Sequence, residues 1–245
     1  MTTIIAGISG AIGKALAERY LDDQAGQPLI GLCRHPDQVP EPIRGHESVT
    51  LLPWQANVPL SESVAERLQQ ALAPSGKVSN LIYAAGLLHD EQMFPEKRLE
   101  DLDPDSMARA FQVNCVGFGM LVQALAPGFR GQHLTRVAAI SAKVGSISDN
   151  QFGGWYAYRC SKAALNMLVR NLSIELPRRY APLTCVALHP GTTESPLSAP
   201  FGQSLAKLTV HRPEETARNL HDILGSLSEA DNGRFISWDG TDLPW

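Results

Sequence analysis

Cysteine is scarce in this sequence, with four in 245 residues, at positions 33, 115, 160 and 185. The spacings of 82, 45 and 25 residues make no C-x-x-C pair, which excludes a readable zinc knuckle or dithiol redox motif. Three of the four lie in or beside apolar runs, the setting of buried reduced thiols, and a cytoplasmic home is expected. A basic excess is also missing. The 21 Lys and Arg stand against 25 Asp and Glu, giving a formal charge of −4 and a pI near 6.0. That removes the electrostatic footprint of a nucleic-acid binder. "MTTIIAGISG" has no charged region ahead of an apolar one, so no signal peptide is expected. No apolar run is expected to reach the roughly 18 residues of a membrane span. Internal repeats and low-complexity linkers are lacking, so a single domain over residues 1–245 is the economical reading.

What is present is alternation. Strand-like runs fall at 2–7, 28–33, 48–54, 78–86, 133–141, 183–191 and 233–238. Helix-like runs fall at 11–21, 61–73, 103–127, 156–176 and 212–227. The second helix is expected to be opened by Ser61 or, better, by the Ser63-x-x-Glu66 box, and the third by Asp103 with Pro104 in first position. The proline-containing stretch 35–48 reads as a surface loop. Such alternation predicts an α/β fold: a Rossmann-type, doubly wound parallel sheet of about seven strands with helices on both faces.

Three motifs carry chemistry. "GGWYAYRCSKAALNML" holds two tyrosines and a lysine at the head of a helix. Residues four apart share a helical face, so Tyr158 and not Tyr156 faces Lys162. An adjacent ammonium is expected to lower the phenol pKa and ready it for proton exchange with a substrate oxygen. The first strand runs into "AGISGAIG", whose Gly7, Gly10 and Gly13 mark a strand-to-helix turn suited to a pyrophosphate. The second strand ends in Cys33 and Arg34. No acid is there to bind a ribose 2′-hydroxyl, and arginine suits a 2′-phosphate, so NADP(H) is the expected cofactor.

These residues, with "YAAG" after the fourth strand, Asn114, Ser141 after the fifth strand and "HPG" after the sixth, come in one order. In that order the chain resembles the short-chain dehydrogenase/reductase family over its whole length. "SAKVGSISDNQFGGWYAYRCSKAALN" and "GRFISWDGTDLPW" are most similar to the C-factor-like, NADPH-dependent carbonyl reductases. The resemblance implies Tyr158 as acid in reduction and base in oxidation. Lys162 would lower its pKa and hold the nicotinamide ribose, Ser141 would bond the substrate carbonyl, and Asn114 would anchor a water on a proton path. Gly7, Ser9, Gly10, Ile12 and Gly13 would meet the pyrophosphate, and Asn57, Ala84, Ala85 and Gly86 the adenosine. Pro190, Gly191 and Thr193 would line the nicotinamide side, and Ser195 would stand near the pyrophosphate, where the family usually has a threonine. Departures from the family pattern are Ala11 for a glycine, the loss of paired asparagines in "YAAG", and Asn57 for an aspartate.

The resemblance thus predicts an oxidoreductase acting on a small carbonyl or alcohol. Alternatives are a dinucleotide-binding regulatory protein without turnover, and a sugar-nucleotide epimerase suggested by the glycine spacing. Residues 192–211 are expected to form a flap, with Leu197, Phe201 and Leu205 joining Leu87–His89 and Trp155 around an apolar pocket. Apolar positions beyond one face (Phe111, Val116, Phe118 and Leu121; Leu168, Leu172 and Ile174) predict a homo-oligomer, at least a dimer.

Overall fold

The computed structural model describes residues 1–23, 26–73, 76–202 and 209–245. Its strands are β1 (Thr2–Ala6), β2 (Leu29–Cys33), β3 (Val49–Pro53), β4 (Val78–Tyr83), β5 (Thr135–Ile140), β6 (Leu183–His189), β7 (Thr192–Thr193), β8 (Val210–His211) and β9 (Phe235–Ser237). Seven form one sheet in the order β3-β2-β1-β4-β5-β6-β9, every pair parallel. β7 and β8 pair apart from it. The helices are α1 (Ala11–Asp23), α2 (Glu41–Arg44), α3 (Glu62–Leu72), α4 (Pro104–Phe111), α5 (Gly117–Leu125), α6 (Tyr156–Glu175), α7 (Pro177–Tyr180) and α8 (Pro213–Ser226).

Strand alternation divides the core. Ile4 and Ala6 face one side, with Leu68 of α3, Phe118 and Leu121 of α5, and Leu165 and Val169 of α6. Ile5 faces the other, with Leu16 of α1 and Leu220 and Leu224 of α8. Both faces being covered, β1 and β2 are buried at every position, as parallel strands flanked by helices must be. The chain winds outward from β1 to β3 and returns to β4 beside β1. The carboxyl ends of β1 and β4 therefore flank the point where strand order reverses, which is where such sheets open a crevice.

Several expectations need correcting. The 35–48 stretch contains α2, held by the Arg44–Glu41 ion pair inside that helix. Ser61, not Ser63, caps α3: its Oγ accepts from Val64 N at 3.3 Å, because the helix begins at Glu62. Asp103 caps α4 as expected, accepting from Ser106 N at 2.7 Å. The long helix is not uniform, since a widened π turn, Gln112–Val116, separates α4 from α5. Within that turn the Val113 carbonyl accepts from Tyr83 Oη at 2.5 Å. Continuous helix over Pro104–Phe129 is long and apolar enough, by length and composition, to cross a membrane, contrary to the expectation that no stretch was. Its inward residues Phe118, Leu121, Val122 and Leu125 are nonetheless core against the sheet. Phe118 and Leu121 accordingly do not belong to an outer face, whereas Val116, Met120, Met167 and Ile174 are exposed.

Candidate active site

The glycine turn sits at the end of β1. Gly7 has φ +85°, a left-handed conformation that side chains disfavour, and a Cβ there would stand 2.6 Å from Ala85 N. Gly13 lies so close that a Cβ would meet the Gly7 carbonyl at 2.2 Å, so the first turn of α1 presses onto the loop. Gly7 N and Ile8 N donate to Leu32 O at 2.8 and 3.3 Å, tying the turn to the end of β2. Ser9 hydrogen-bonds the Cys33 thiol, whose pKa burial pushes up. The next residue, Arg34, is exposed and has no ion-pair partner among the described residues. The opening of α1 carries no acidic side chain. Its leading amides have no intrahelical carbonyl to bond, and the loop before them packs at Gly7 against the small residues Ala84 and Ala85 after β4. A bare helix start, small neighbours and an unpaired guanidinium together fit a phosphorylated dinucleotide. Asn57 is exposed on the loop after β3.

α6 supplies the second half. Its buried face carries Tyr158, Ser161, Lys162 and Asn166. Lys162 is 3% exposed, and its Nζ donates to Ile140 O at 2.8 Å at the end of β5. The same Nζ lies 5.7 Å from the Tyr158 ring centre. Burial pulls the Lys162 pKa down to about 8. Burial likewise pushes Tyr158 up to about 12. This is the reverse of the expected lowering. Desolvation penalises the phenolate, and the ammonium is directed at a carbonyl rather than at the phenol oxygen.

Asn114, fully buried in the π turn, accepts from Leu87 N at 2.7 Å. Its Nδ2 donates to Leu87 O at 2.8 Å and to Ser161 Oγ at 2.9 Å. Both amide protons are thus spent, and a water held here would bond to the main chain or to the remaining Oδ1 lone pair. A Cβ added at Gly86 would stand 3.7 Å from Asn114 Oδ1 and 3.8 Å from Lys162 Nζ, so these three residues meet. Ser141, 2% exposed, donates from Oγ to Asn166 Oδ1 at 2.6 Å.

The residues expected on the nicotinamide side follow β6. Pro190 is buried, and Gly191, at φ +75°, rests against His211 and Trp238. Thr193 pairs hydroxyls with Thr216 at 2.8 Å, and Ser195 Oγ donates to Thr193 O at 3.3 Å. Preceding them, His189 Nδ1 accepts from Lys143 N at 3.3 Å, and burial pulls its pKa down to about 4.

Part of the expected flap reaches Trp155, which lies against Tyr158. Trp155 lies 6.3 Å from the Tyr158 ring and 4.8 Å from Phe201, which in turn lies 5.4 Å from Phe94. His89 Nε2 bonds with Leu197 O at 3.1 Å, fastening the flap to the loop after β4. Leu205 and the rest of 203–208 lie outside the described residues.

Sequence reasoning missed Asn166, Ser161, Phe94 and Glu96. The first two were open to it, being one turn beyond Lys162 and three residues after Tyr158. Glu96 had no local signal. Its buried carboxylate accepts from Ala157 N at 3.3 and 3.2 Å, and its carbonyl from Trp155 N at 2.6 Å. It caps α6 from 61 residues away because Trp155, at φ 50°, offers no side-chain cap.

Comparison with known proteins fits this geometry. The profile of the short chain dehydrogenase family matches residues 1–206. The C-signal of Myxococcus xanthus is 37% identical over 147 residues, covering 60% of this chain and 83% of that protein. A 1-hydroxy-2-glutathionyl-2-methyl-3-butene dehydrogenase of Rhodococcus is 29% identical over 245 residues, covering 100% and 99%. Among solved structures, an NADPH-bound carbonyl reductase from chicken fatty liver superposes with TM-score 0.83 at 25% identity, over 99% of this chain and 98% of that one.

Proposed function

The chain belongs to the short-chain dehydrogenase family, and from that premise we propose that it is an NADPH-dependent oxidoreductase of small carbonyl compounds or secondary alcohols. The observation that carries the reading is the buried Tyr158–Lys162 pair, one helical turn apart beside Ser141, at the carboxyl end of a parallel sheet. NADP(H), when bound, supplies or accepts the hydride. The turn formed by Gly7, Ser9, Gly10, Ile12 and Gly13 holds its pyrophosphate, and Arg34 the 2′-phosphate. Asn57 and Ala84–Gly86 flank the adenosine. Pro190, Gly191 and Thr193 border the nicotinamide, and Ser195 the pyrophosphate. NADPH bound to the chicken carbonyl reductase supports the cofactor assignment.

Tyr158 then handles the proton. With its pKa near 12 the phenol is neutral at pH 7 and gives its proton to a carbonyl oxygen; the reverse reaction needs the phenolate and so alkaline conditions. Lys162, with a pKa near 8, is mostly charged at pH 7 and stands next to the developing phenolate. Asn114 holds the loop at Leu87 beside Lys162. The four cysteines are free, which suits a reducing compartment such as the cytoplasm. The exposed Val116, Met120, Met167 and Ile174 suit a homodimer.

The test is a pair of phenylalanine variants assayed with a carbonyl panel and with NADPH titration. Tyr158→Phe lowers turnover by about 10²–10⁴ with NADPH binding retained, while Tyr156→Phe changes it modestly. The opposite ranking would mean the motif is misread. A second reading has one observation behind it: a relative 37% identical is named a signal. A wild-type protein that binds NADPH yet oxidises it with no member of the panel would favour a regulatory role.

A further inference from the structure

The flap leaves β7 and, at the end of the short turn Ala199–Phe201, presents an aromatic ring. Centre to centre, the Phe201 ring lies 4.8 Å from Trp155, 5.4 Å from Phe94 and 5.8 Å from His89. These three partners come from outside the flap: Trp155 from the entry to α6, His89 and Phe94 from the stretch after β4. His89 and Phe94 also touch each other, with centres 5.9 Å apart. Together they make a recess with three ring walls, and the flap has put a phenyl group into it. The interplanar angles of 50°, 32° and 68° are tilted or edge-on, the arrangements that ring quadrupoles favour over a face-to-face sandwich.

That phenyl group is an occupant of the recess and not one of its walls. Phe94 is 53% exposed, so the recess is open to water along one side. A Cβ added at Gly202 would meet nothing within 4 Å among the described residues, which leaves room for the chain just after Phe201 to move aside. The flap has fastenings of its own upstream of the ring. His89 Nε2 donates to Leu197 O at 3.1 Å, and Ser198 Oγ donates to Thr193 O at 2.6 Å. Phe201 can therefore swing out while these bonds stay made. Trp155 joins the recess to the site, its ring centre 6.3 Å from that of Tyr158. A ring held in the recess stands beside Trp155, one ring's breadth from the phenol.

We propose that His89, Phe94 and Trp155 form the binding site for an aromatic ring on the substrate, that Phe201 fills this site when no substrate is bound, and that the substrates are ketones or aldehydes carrying such a ring on a short carbon spacer. This rests on the proposed function and names its substrate class. A carbonyl attached directly to a ring in the recess falls short of Tyr158; a spacer of about two carbons spans the breadth of Trp155. Binding exchanges one phenyl group for another, and no covalent bond changes in the exchange. Because the recess is competent only while Phe201 is out, the apparent affinity is the intrinsic affinity reduced by that fraction. A saturated ring of the same size buries similar area but lacks the quadrupole that the three walls read.

The experiment compares benzylacetone, its cyclohexyl analogue and acetophenone on the wild type, Phe94→Ala and Phe201→Ala. For the wild type, KM is expected to be roughly three- to tenfold lower for benzylacetone than for the cyclohexyl analogue. Benzylacetone is also expected to have a higher kcat/KM than acetophenone, which has no spacer. Phe94→Ala is expected to erase most of the phenyl–cyclohexyl difference. Phe201→Ala is expected to lower KM for benzylacetone by roughly threefold or more, with a smaller change for the cyclohexyl analogue. A rise in that KM makes Phe201 a wall of the site and overturns the inference, with the proposed function left standing. So does a wild type that fails to prefer the phenyl ring. Acetophenone as the better substrate overturns the spacer, and with it the placing of the ring in this recess. Dissociation constants of benzylacetone, read by ligand-observed NMR with NADPH absent, keep the recess separate from the reaction. If the wild type reduces no member of the carbonyl panel, the proposed function falls; tighter benzylacetone binding by Phe201→Ala than by the wild type then keeps the aromatic site, and equal or weaker binding removes it.

Discussion

Replacing Lys162 with methionine keeps a side chain of similar length and removes its charge. Lys162 is 3% exposed, and burial brings its pKa from the ordinary 10.5 to about 8. That difference corresponds to on the order of 3 kcal/mol by which the folded protein disfavours the ammonium at pH 7. Methionine escapes this penalty but leaves Ile140 O without its donor, at a cost of about 1–2 kcal/mol. The variant is therefore expected to be more stable than the wild type at pH 7 by about 1–2 kcal/mol. The sign depends on pH. Between pH 8 and 10.5 the unfolded chain binds the lysine proton and the folded one has lost it, so wild-type stability rises with pH across that window. The variant lacks the rise, and above pH 10.5 it should be the less stable of the two. Tyr158 works the other way, since its raised pKa means stability is lost as pH climbs past the ordinary 10, but both proteins share that loss. Urea unfolding at fixed protein concentration, followed by tryptophan fluorescence at pH 7, 8, 9 and 10, reads the difference directly. A methionine variant already less stable at pH 7, or a difference that does not change with pH, would refute a desolvated lysine.

Arg34→Ala should raise KM for NADPH far more than for NADH, because only the former carries the 2′-phosphate that the guanidinium is proposed to hold; equal effects would remove that role. Light scattering at micromolar protein should give at least twice 26.6 kDa, and Met120→Lys with Met167→Lys should lower that mass if the exposed faces pair. Glu96→Ala should destabilise the protein by about 1–2 kcal/mol in urea unfolding, since the Ala157 amide loses its only capping oxygens; an unchanged midpoint would show the cap to be idle.

How much of this was legible depended on distance along the chain. The glycine turn, the strand–helix alternation and the Tyr158–Lys162 face rest on spacings of a few residues, and a doubly wound parallel sheet followed from the alternation, whereas the order of its strands needed the structure. Asn166 obeys the same four-residue rule as Lys162, but its significance needed the fold to bring Gly145 and Ser141 against it. The direction of the Tyr158 pKa was misjudged for a related reason. Sequence supplied the neighbouring charge but not the burial that outweighs it. Phe118 and Leu121 looked like part of an outer stripe because a helix with a π turn shifts its facing by more than a regular helix does, and no spacing rule announces that turn. Glu96 lies 61 residues from the amide it caps, beyond any local pattern.

The same helix α6 concentrates the site's unfavourable features and their compensation. Trp155 enters it in a left-handed conformation that costs a bulky residue on the order of 1–2 kcal/mol. Two turns on, Lys162 is buried at the expense of its charge. Both sit within four residues of Tyr158, and both flank its ring: Trp155 lies against it edge-on, and Lys162 provides the nearby cation. Such strain persists only where neighbours over-determine it. Here Glu96 fastens the entry of the helix, Gly145 lets a turn press against its middle, and Asn166 ties it to the end of β5. Stabilising this helix by conventional means, a cap at 155 or an apolar residue at 162, is therefore expected to give a sturdier protein with a poorer site.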